Sequence, residues 1–317
     1  MVEQRQLARS KQIHRETGKT FYVATRFLPE RVRHPTYVLY AFFRVADEVV
    51  DGDNDLDPAE RAERLESFRR AALGEESTDD PVLAAFAEIR EEHGIPESDV
   101  NTFVDAMATD VEKARYETYD ELRTYMDGSA AAVGRMMTAV MAPDRADEAL
   151  PAATALGEAF QLTNFVRDVR EDVIERDRIY LPAETLEAHG ASHEQISRLA
   201  FDEHVAGAVQ AELSRAEALY RDGVAGIELL PRDCQFPVLL AAILYVDHHR
   251  LIRNLEYDVV STTPSLSTPR KLWLAARARI AWQRSPDPVA VFRSVSAIPS
   301  DDTGHRLHRA TGRLPVP

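Results

Sequence analysis

The sequence predicts an all-α protein that folds as a single domain. Apolar residues recur at the three- and four-residue spacing of amphipathic helices through most of the chain, and no stretch shows the two-residue alternation of a half-buried strand. Glycine and proline separate these segments, as at Gly94-Ile95-Pro96. With 317 residues and no internal repeat, the chain is long enough for one large helical domain.

The helices can be placed in order from their apolar spacing and their boundaries. A polar first helix ends at Gly18, and Pro35 suits the first turn of a helix that continues to Asp51. Another helix begins near Gln161. We expect further helices at residues 58–73, 81–92, 100–115, 120–141, 201–222 and 231–257.

The remaining segments indicate connections and a tail. Residues 143–151 are predicted to be a polar connection, and residues 176–182 a flap. From residue 285 onward proline, serine, aspartate and glycine dominate, which is typical of poor order. We therefore expect a domain of residues 1–284 followed by a flexible tail of residues 285–317.

Residues 161–182, QLTNFVRDVREDVIERDRIYLP, carry a stripe of polar side chains. Read as a helix, the segment places four residues on one face at spacings of three, four and four: Gln161, Asn164, Asp168 and Asp172. Apolar residues cover the other sides, so this helix is predicted to be largely buried. Because unpaired buried charge is costly, the two carboxylates indicate a bound cation, and oxygen ligands suit Mg²⁺.

A second stretch, YVLYAFFRVADEVVD at residues 37–51, has the same organisation. Its polar face carries Tyr40, Arg44, Asp47 and Asp51. Two such helices facing each other across a cavity would hold several Mg²⁺ ions, and Mn²⁺ has a similar preference for oxygen ligands. The predicted metal ligands are Asp47, Asp51, Asn164, Asp168 and Asp172. Bound metal would in turn bind a diphosphate.

The spacing of the aspartates is weak evidence by itself. Four Asp-x-x-x-Asp pairs occur, whereas an acidic chain of this length gives about two by chance. The pairs 51/55 and 53/57 extend into DGDNDLD, which is typical of a solvated acidic loop. The pairs 47/51 and 168/172 differ because they lie in apolar helices with Arg, Asn or Gln on the same face. That setting favours a metal site.

Several motifs together resemble the squalene/phytoene synthase family. They are KTFYVATRFLP, the Arg-x-x-Asp-Glu-x-x-Asp pattern within YAFFRVADEVVD, YMDGSAAAVG at 125–134, the segment 161–182, and LIRNLEYDV at 251–259. The resemblance spans roughly residues 10–280, and its motifs occur in the family's order. It implies an isoprenoid-synthase-type helical bundle with a central cavity.

The resemblance also implies roles for single residues. Lys19 and Thr20 match a turn that helps to bind diphosphate, and Tyr125 matches a tyrosine near the reacting carbons. Arginines crowd the second aspartate helix, and we expect Arg167 and Arg178 to contact diphosphate oxygens. The other predicted substrate contacts are Tyr40, Arg44, Gln161 and Asn164, and the predicted catalytic residues are Asp47, Asp51, Asp168, Asp172 and Tyr125. Asp110 is interpreted as a surface acid.

The activity implied is head-to-head (1′-1) coupling of two geranylgeranyl diphosphates to phytoene through a cyclopropyl diphosphate, a step of carotenoid biosynthesis. This reaction needs no NADPH. One alternative is squalene or dehydrosqualene synthesis from farnesyl diphosphate, in which squalene formation adds a hydride from NADPH. An alternative of another class is a non-catalytic helical scaffold of the same fold, which predicts degraded carboxylate pairs.

Composition limits the partners of the chain. The net charge is −15, which argues against nucleic acid, and only four of the 38 Lys plus Arg residues are lysines. This acidic, arginine-rich composition predicts a salt-loving source, as in halophilic archaea. A single cysteine, no signal peptide and no membrane span favour a cytoplasmic location. We also expect peripheral contact with the inner face of the membrane, which takes the oily product.

Overall fold

The computed structural model describes residues 2–51 and 58–299, and across these residues the protein is built from α-helices without a β-strand. An isolated bridge between Arg115 and Ile179 is the one β-type pairing in this part of the chain. The all-α prediction is therefore confirmed. The helices are α1 (Gln4–Thr17), α2 (Lys19–Thr25), α3 (Glu30–Asp51), α4 (Pro58–Leu73), α5 (Pro81–His93), α6 (Glu97–Glu112), α7 (Tyr119–Met126), α8 (Ala132–Met141), α9 (Ala146–Arg167), α10 (Val169–Arg176), α11 (Ala183–Ala188), α12 (His193–Ser197), α13 (Glu203–Ala225), α14 (Arg232–Asn254), α15 (Thr268–Arg284) and α16 (Pro288–Val295).

Three irregular turns interrupt this series. A π-helical turn, Asp127–Ala131, joins α7 to α8, and short 3₁₀ turns at Pro143–Arg145 and Gly226–Leu229 precede α9 and α14. The π turn begins within the predicted helix 120–141. That helix therefore forms as expected but with one wide turn in its middle.

Two helices begin earlier than the sequence predicts. Helix α3 starts at Glu30 rather than at Pro35, and α9 starts at Ala146, within the predicted polar connection. In each case a proline in the second turn removes one backbone hydrogen bond. The turns before the prolines bury Val32 and Ala149, respectively. We infer that this burial outweighs the lost hydrogen bond.

Helix α9 lies at the centre of the fold and packs against α8, α13 and α14. Two glycines permit this close packing. A Cβ at Gly157 would lie 2.6 Å from the Ala130 carbonyl oxygen, and a Cβ at Gly223 would lie 2.7 Å from the Cβ of Leu156. Larger residues at these positions would push the neighbouring helices away from α9, so the packing around the central helix depends on the missing side chains.

The core consists of three apolar clusters arranged around α9. The first lies among α3–α6, where the rings of Phe42 and Phe86 stack with their centroids 3.6 Å apart. The second joins α13 and α14 to α15 and α16. The third packs α10 and the segment after it against α13. Helix α9 contributes residues to all three clusters and so connects them.

The predicted start of a flexible tail at residue 285 is wrong. Residues Pro288–Val295 form α16, whose first turn is capped by the Asp287 carboxylate accepting from the backbone N–H of Ala290. Val291, Phe292 and Val295 are buried in the second cluster. These three apolar contacts order a segment whose composition alone indicated disorder. Residues 300–317 lie outside the described part of the chain.

No helix among the described residues is both long enough and apolar enough to cross a membrane.

Replacing Phe292 by alanine tests the role of α16. The ring is almost fully buried, so we expect Phe292→Ala to lower the free energy of unfolding by about 3–5 kcal/mol in urea denaturation. The neighbouring exposed residue provides the control, and Arg293→Ala should change it by less than about 0.5 kcal/mol. Equal stability of both variants and the wild type would show that α16 does not hold the domain together.

Candidate active site

A large cavity, of about 730 Å³, lies among the helices that surround α9. Both aspartate helices contribute to its wall, because Asp47 of α3 lines it together with Asp168 and Asp172. The sequence-based expectation that the two helices face each other across a cavity agrees with this placement. The side chain of Asp51 lies outside the described part of the chain.

Helix α9 and the start of α10 line this cavity along their whole length. Apart from Phe165 and Arg167, the lining residues follow one face as single residues or adjacent pairs three or four residues apart: Ala149, Ala152, Ala153, Leu156, Gly157, Phe160, Gln161, Asn164, Asp168, Glu171 and Asp172. From Ala149 to Asp168 this face extends roughly 28 Å, at about 1.5 Å per residue. Its beginning is small and apolar, and its end is polar and acidic. The cavity therefore has an apolar end and a polar end.

The polar face continues through a change in backbone direction at Asp168. This residue leaves helical geometry, with φ −99° and ψ 11°, and it separates α9 from α10. Hydrogen bonds nevertheless bridge the break: the Asp168 N–H donates to the Asn164 carbonyl, and the Asp172 N–H to the Asp168 carbonyl, each at 2.8 Å. The four-residue spacing therefore still directs Asn164, Asp168 and Asp172 into one cavity.

The two carboxylates of the second aspartate pair differ in environment. Burial, and after it repulsion from Asp168, raise the pKa of Asp172 to about 7, while Arg176 opposes the shift. Arg176 donates to the Asp172 carboxylate at 3.2 Å. Asp168 is paired with the guanidinium of Arg167, whose Nε donates to Oδ1 at 2.7 Å. A buried carboxylate that is costly to ionise favours a cation beside it.

Amide and phenol groups complete the polar end. The Tyr245 hydroxyl donates to the Asn164 side-chain oxygen at 3.0 Å, and the ring of Tyr245 lies against the Arg167 guanidinium. Gln161 lines the cavity one turn earlier and accepts a long, 3.4 Å hydrogen bond from Asn164. These contacts orient the Asn164 oxygen, which retains a second lone pair for another donor or a metal.

On the opposite wall, α3 presents Tyr40, Arg44 and Asp47 to the cavity. Arg44 lies 3.4 Å from the Asp47 carboxylate. The ring of Tyr40 stacks on the buried imidazole of His14, with 4.0 Å between centroids. The predicted face of α3 is therefore present up to Asp47, with its aromatic residue fixed by a neighbour from α1.

Asp110 is not a surface acid, contrary to the interpretation of the sequence. It lines the cavity and accepts hydrogen bonds from the phenols of Tyr125, at 2.5 Å, and Tyr180, at 3.4 Å. Arg178 donates to the Asp110 backbone carbonyl at 2.7 Å. Burial, and then the charge of Asp110, place the pKa of Tyr125 well above its ordinary value. The sequence contained one signal, because Asp110 continues the helical face of the cavity-lining residues Phe103 and Met107.

The turn between α1 and α2 contributes other residues to the cavity wall than the predicted Lys19 and Thr20. Its neighbours Thr17 and Phe21 line the cavity, whereas Lys19 and Thr20 are not part of the lining. Lys19 nevertheless lies near a cation that the sequence did not indicate. The pKa of Lys271 is lowered by burial and then by repulsion from Lys19 and Arg167. The three side chains therefore form a group of positive charges beside the polar end.

The donors at the polar end suit a hard divalent cation only in part. Within residues 2–51 and 58–299, no three His, Cys, Asp or Glu side chains converge closely enough to hold a metal ion. The carboxylates of α3 and α10 instead face each other across the cavity. The donor chemistry, carboxylate and amide oxygen with one carboxylate costly to ionise, still fits Mg²⁺ when other oxygens complete its coordination.

Comparison with known proteins shows the same fold and sequence family. Residues 14–273 match the model of the family described as squalene/phytoene synthase. The chain is 32% identical over 291 residues to a 15-cis-phytoene synthase from Synechocystis sp., covering 87% of this chain and 84% of that protein. It is 29% identical over 321 residues to phytoene synthase from Rhodobacter capsulatus, covering 99% and 92% of the two chains.

Solved structures of squalene and dehydrosqualene synthases share the fold of this chain. A dehydrosqualene synthase in complex with a ligand superposes with a TM-score of 0.80 at 26% identity, covering 89% of this chain and 98% of that one. A squalene synthase from Alicyclobacillus acidocaldarius gives 0.70 at 26% identity, covering 80% and 94%. The predicted isoprenoid-synthase-type bundle with a central cavity is thereby confirmed. The chain belongs to the squalene/phytoene synthase family.

Proposed function

We propose that the protein couples two geranylgeranyl diphosphates head to head to form phytoene, through a cyclopropyl diphosphate intermediate. The supporting observation is one cavity whose carboxylates and arginines lie at one end and whose small, apolar side chains line the other. This division suits substrates that combine a diphosphate with a long apolar chain. The relatives named phytoene synthase support the same reaction.

A divalent metal, Mg²⁺ or Mn²⁺, would be held at the polar end by Asp47, Asp51, Asn164, Asp168 and Asp172. Because these residues lie on facing helices, diphosphate oxygens and water would supply the remaining ligands. The bound metal would neutralise the diphosphate and so make it a better leaving group. Binding a cation would also relieve the cost of ionising Asp172.

Arginine and lysine side chains near the polar end would bind the diphosphates without an intervening metal. Arg44 and Arg178 line the cavity close to the aspartates, and a guanidinium binds phosphate oxygens in a fork. Lys19 and Arg167 both repel Lys271. A second diphosphate among them would remove this repulsion, which supports a contact role for Lys19 and Arg167. Thr20, Tyr40 and Gln161 remain predicted substrate contacts.

Tyr125 and Tyr180 are suited to stabilising the allylic cations that form during the reaction. Both phenols donate to Asp110, so their remaining oxygen lone pairs are available to a positive charge in the cavity. The raised pKa of Tyr125 keeps the phenol protonated, which prevents it from trapping the cation as a phenolate would. We therefore propose that Tyr125 stabilises the cation and that Asp110 positions Tyr125.

Three further aromatic rings line the cavity. The rings of Phe21 and Tyr245 stack with 4.5 Å between centroids, and Phe160 meets Tyr245 edge-on at 5.0 Å. All three line the cavity between its polar and apolar ends. Excluding water there protects a carbocation from hydrolysis, which any coupling of prenyl chains requires.

Squalene or dehydrosqualene synthesis from farnesyl diphosphate is the second candidate. The specific observation in its favour is the likeness to a dehydrosqualene synthase, with a TM-score of 0.80 over 89% of this chain. Both candidates use the same polar end and differ in how far the apolar chain extends. The small residues between Ala149 and Gly157 leave space at the far end of α9, which favours the longer substrate.

Product analysis tests the proposed function. With Mg²⁺ and geranylgeranyl diphosphate, and without NADPH, we expect a C40 hydrocarbon with a conjugated triene, identified by its mass and absorbance spectra. The parallel reaction uses farnesyl diphosphate with and without NADPH. A C30 product from the shorter substrate alone would replace the proposal by the second candidate, and no product from either would contradict both.

Removing one carboxylate charge tests the metal assignment. We expect Asp168→Asn to lower kcat by roughly 10²–10³-fold, because the leaving diphosphate loses a metal ligand. Circular dichroism should be unchanged, and the rise in Tm on adding Mg²⁺ with pyrophosphate should disappear. The exposed Asp144 provides the control, and Asp144→Asn should match the wild type in all three measurements. Wild-type turnover by Asp168→Asn would remove this residue from the site.

Filling the far end of the cavity tests the substrate length. Ala149 is buried and lines that end, so Ala149→Phe should reduce the yield from geranylgeranyl diphosphate at least roughly tenfold while leaving coupling of farnesyl diphosphate measurable. The volume-conserving variant Ala149→Ser should keep the C40 product. An unchanged product ratio in Ala149→Phe would show that the prenyl chain does not reach this end.

A further inference from the structure

Helix α15 exposes an apolar surface that the rest of the protein does not cover. Leu272, Trp273 and Ile280 are 61%, 48% and 50% exposed, although each is a large apolar residue. At about 100° per residue, these three side chains and Ala276 fall within one arc of the helix. The buried Leu274 is on the opposite side. Helix α15 is thus amphipathic, with one apolar side in the core and another directed outward.

The same helix is strongly basic in an acidic protein. It contains five Lys or Arg residues and no Asp or Glu, whereas the whole chain has a net charge of −15. Arg270 is neutralised by two hydrogen bonds to Asp247, and Lys271 belongs to the cations at the polar end of the cavity. Arg277, Arg279 and Arg284 flank the exposed apolar arc, and no carboxylate of the described residues pairs with any of them.

Contacts with neighbouring residues position the exposed surface. Arg277 donates to the Ser294 carbonyl of α16 at 2.6 Å, and the Arg270 guanidinium lies 4.5 Å from the centre of the Trp273 ring. A shallow groove of about 500 Å³ runs between α15 and α16 beside Trp273 and Ile280. These contacts hold α15 against α16 with the apolar side chains on the outside.

This surface extends towards the apolar wall of the main cavity. The Arg279 guanidinium lies over the ring of Phe236, which meets the ring of Phe27 with 5.6 Å between centroids. Phe27 is 49% exposed, and its neighbour Leu28 lines the cavity. Arg279 and Phe236 thus connect the outside of α15 with Phe27, whose neighbour in the chain lines the cavity.

We propose that Phe27, Leu272, Trp273 and Ile280, with Arg277, Arg279 and Arg284, form a docking surface for an anionic lipid bilayer; we call it the α15 face. Apolar side chains flanked by arginines, with a tryptophan among them, are typical of helices that lie in the membrane interface. The positive charge complements anionic headgroups, which attract each exposed arginine. The acidic remainder of the protein would be repelled, so this face sets the orientation on the membrane.

Charge argues against other occupants of the α15 face. Two copies of the chain meeting through it would bring three arginines against three arginines. The segment 300–317 contains three arginines and two aspartates, so it does not complement the face either. A bilayer that contains anionic lipid complements both the apolar and the basic parts.

Vesicle flotation of the full chain, without substrate, tests the proposal. The wild type should bind vesicles of phosphatidylcholine with phosphatidylglycerol, and bind phosphatidylcholine alone at least roughly tenfold more weakly. Leu272→Ser/Ile280→Ser should weaken binding to the mixed vesicles roughly tenfold or more, because two apolar side chains no longer enter the interface. Arg279→Gln/Arg284→Gln should weaken it roughly tenfold and reduce its dependence on salt.

Matched variants outside the face provide the controls. Phe201 is exposed elsewhere on the protein, and Phe201→Ser and Arg64→Gln should both bind as the wild type does. Circular dichroism confirms folding of each variant. Equal binding by the wild type and the α15 variants would overturn the proposal. Light scattering that shows a wild-type dimer and monomeric α15 variants would also overturn it, because the face would then join two copies of the chain. Since no substrate is present, the outcome is independent of whether the proposed coupling reaction occurs.

Discussion

The candidate active site depends on one constraint, which is that several negative charges lie at one end of the cavity. Asp47, Asp168 and Asp172 line the same cavity. Burial is the largest cause of the raised pKa of Asp172, and repulsion from Asp168 comes second. Such an arrangement is stable only with compensating cations. The chain supplies arginines, and Arg167 and Arg176 already pair with the second aspartate pair. Substrate and metal would replace or extend these pairs.

Helix α9 both packs against the neighbouring helices and lines the cavity, and some of the same residues do both. Gly157 lines the cavity and also lets α9 approach the Ala130 carbonyl closely. Leu156 is likewise a cavity residue that packs directly against Gly223. Small residues on α9 therefore draw the neighbouring helices inward while leaving space for a ligand between them. A substitution there changes packing and cavity shape together.

The sequence predicted the polar end of the site better than the rest. The spacing of Gln161, Asn164, Asp168 and Asp172 was sufficient because helical hydrogen bonding persists through the break at Asp168. The apolar half of the same face was not recognised, since small residues such as Ala149 look alike whether they face the core or a cavity. Asp110 was misinterpreted because its phenol partner, Tyr125, comes from another helix, and α16 was missed because only tertiary contacts order it.

Net charge describes this protein poorly, because its charges are segregated. Within the net charge of −15 there are two positive regions, the cations beside the polar end of the cavity and the α15 face. Helix α15 contributes to both regions, because Lys271 is repelled by Lys19 and Arg167, whereas the adjacent Leu272 is exposed on the outside. Helix α15 therefore links the region that would bind diphosphate to the surface that would meet lipid. A rigid link of this kind would fix the cavity relative to the bilayer, so that the apolar side chains around Phe27 face the membrane that takes up a hydrocarbon product.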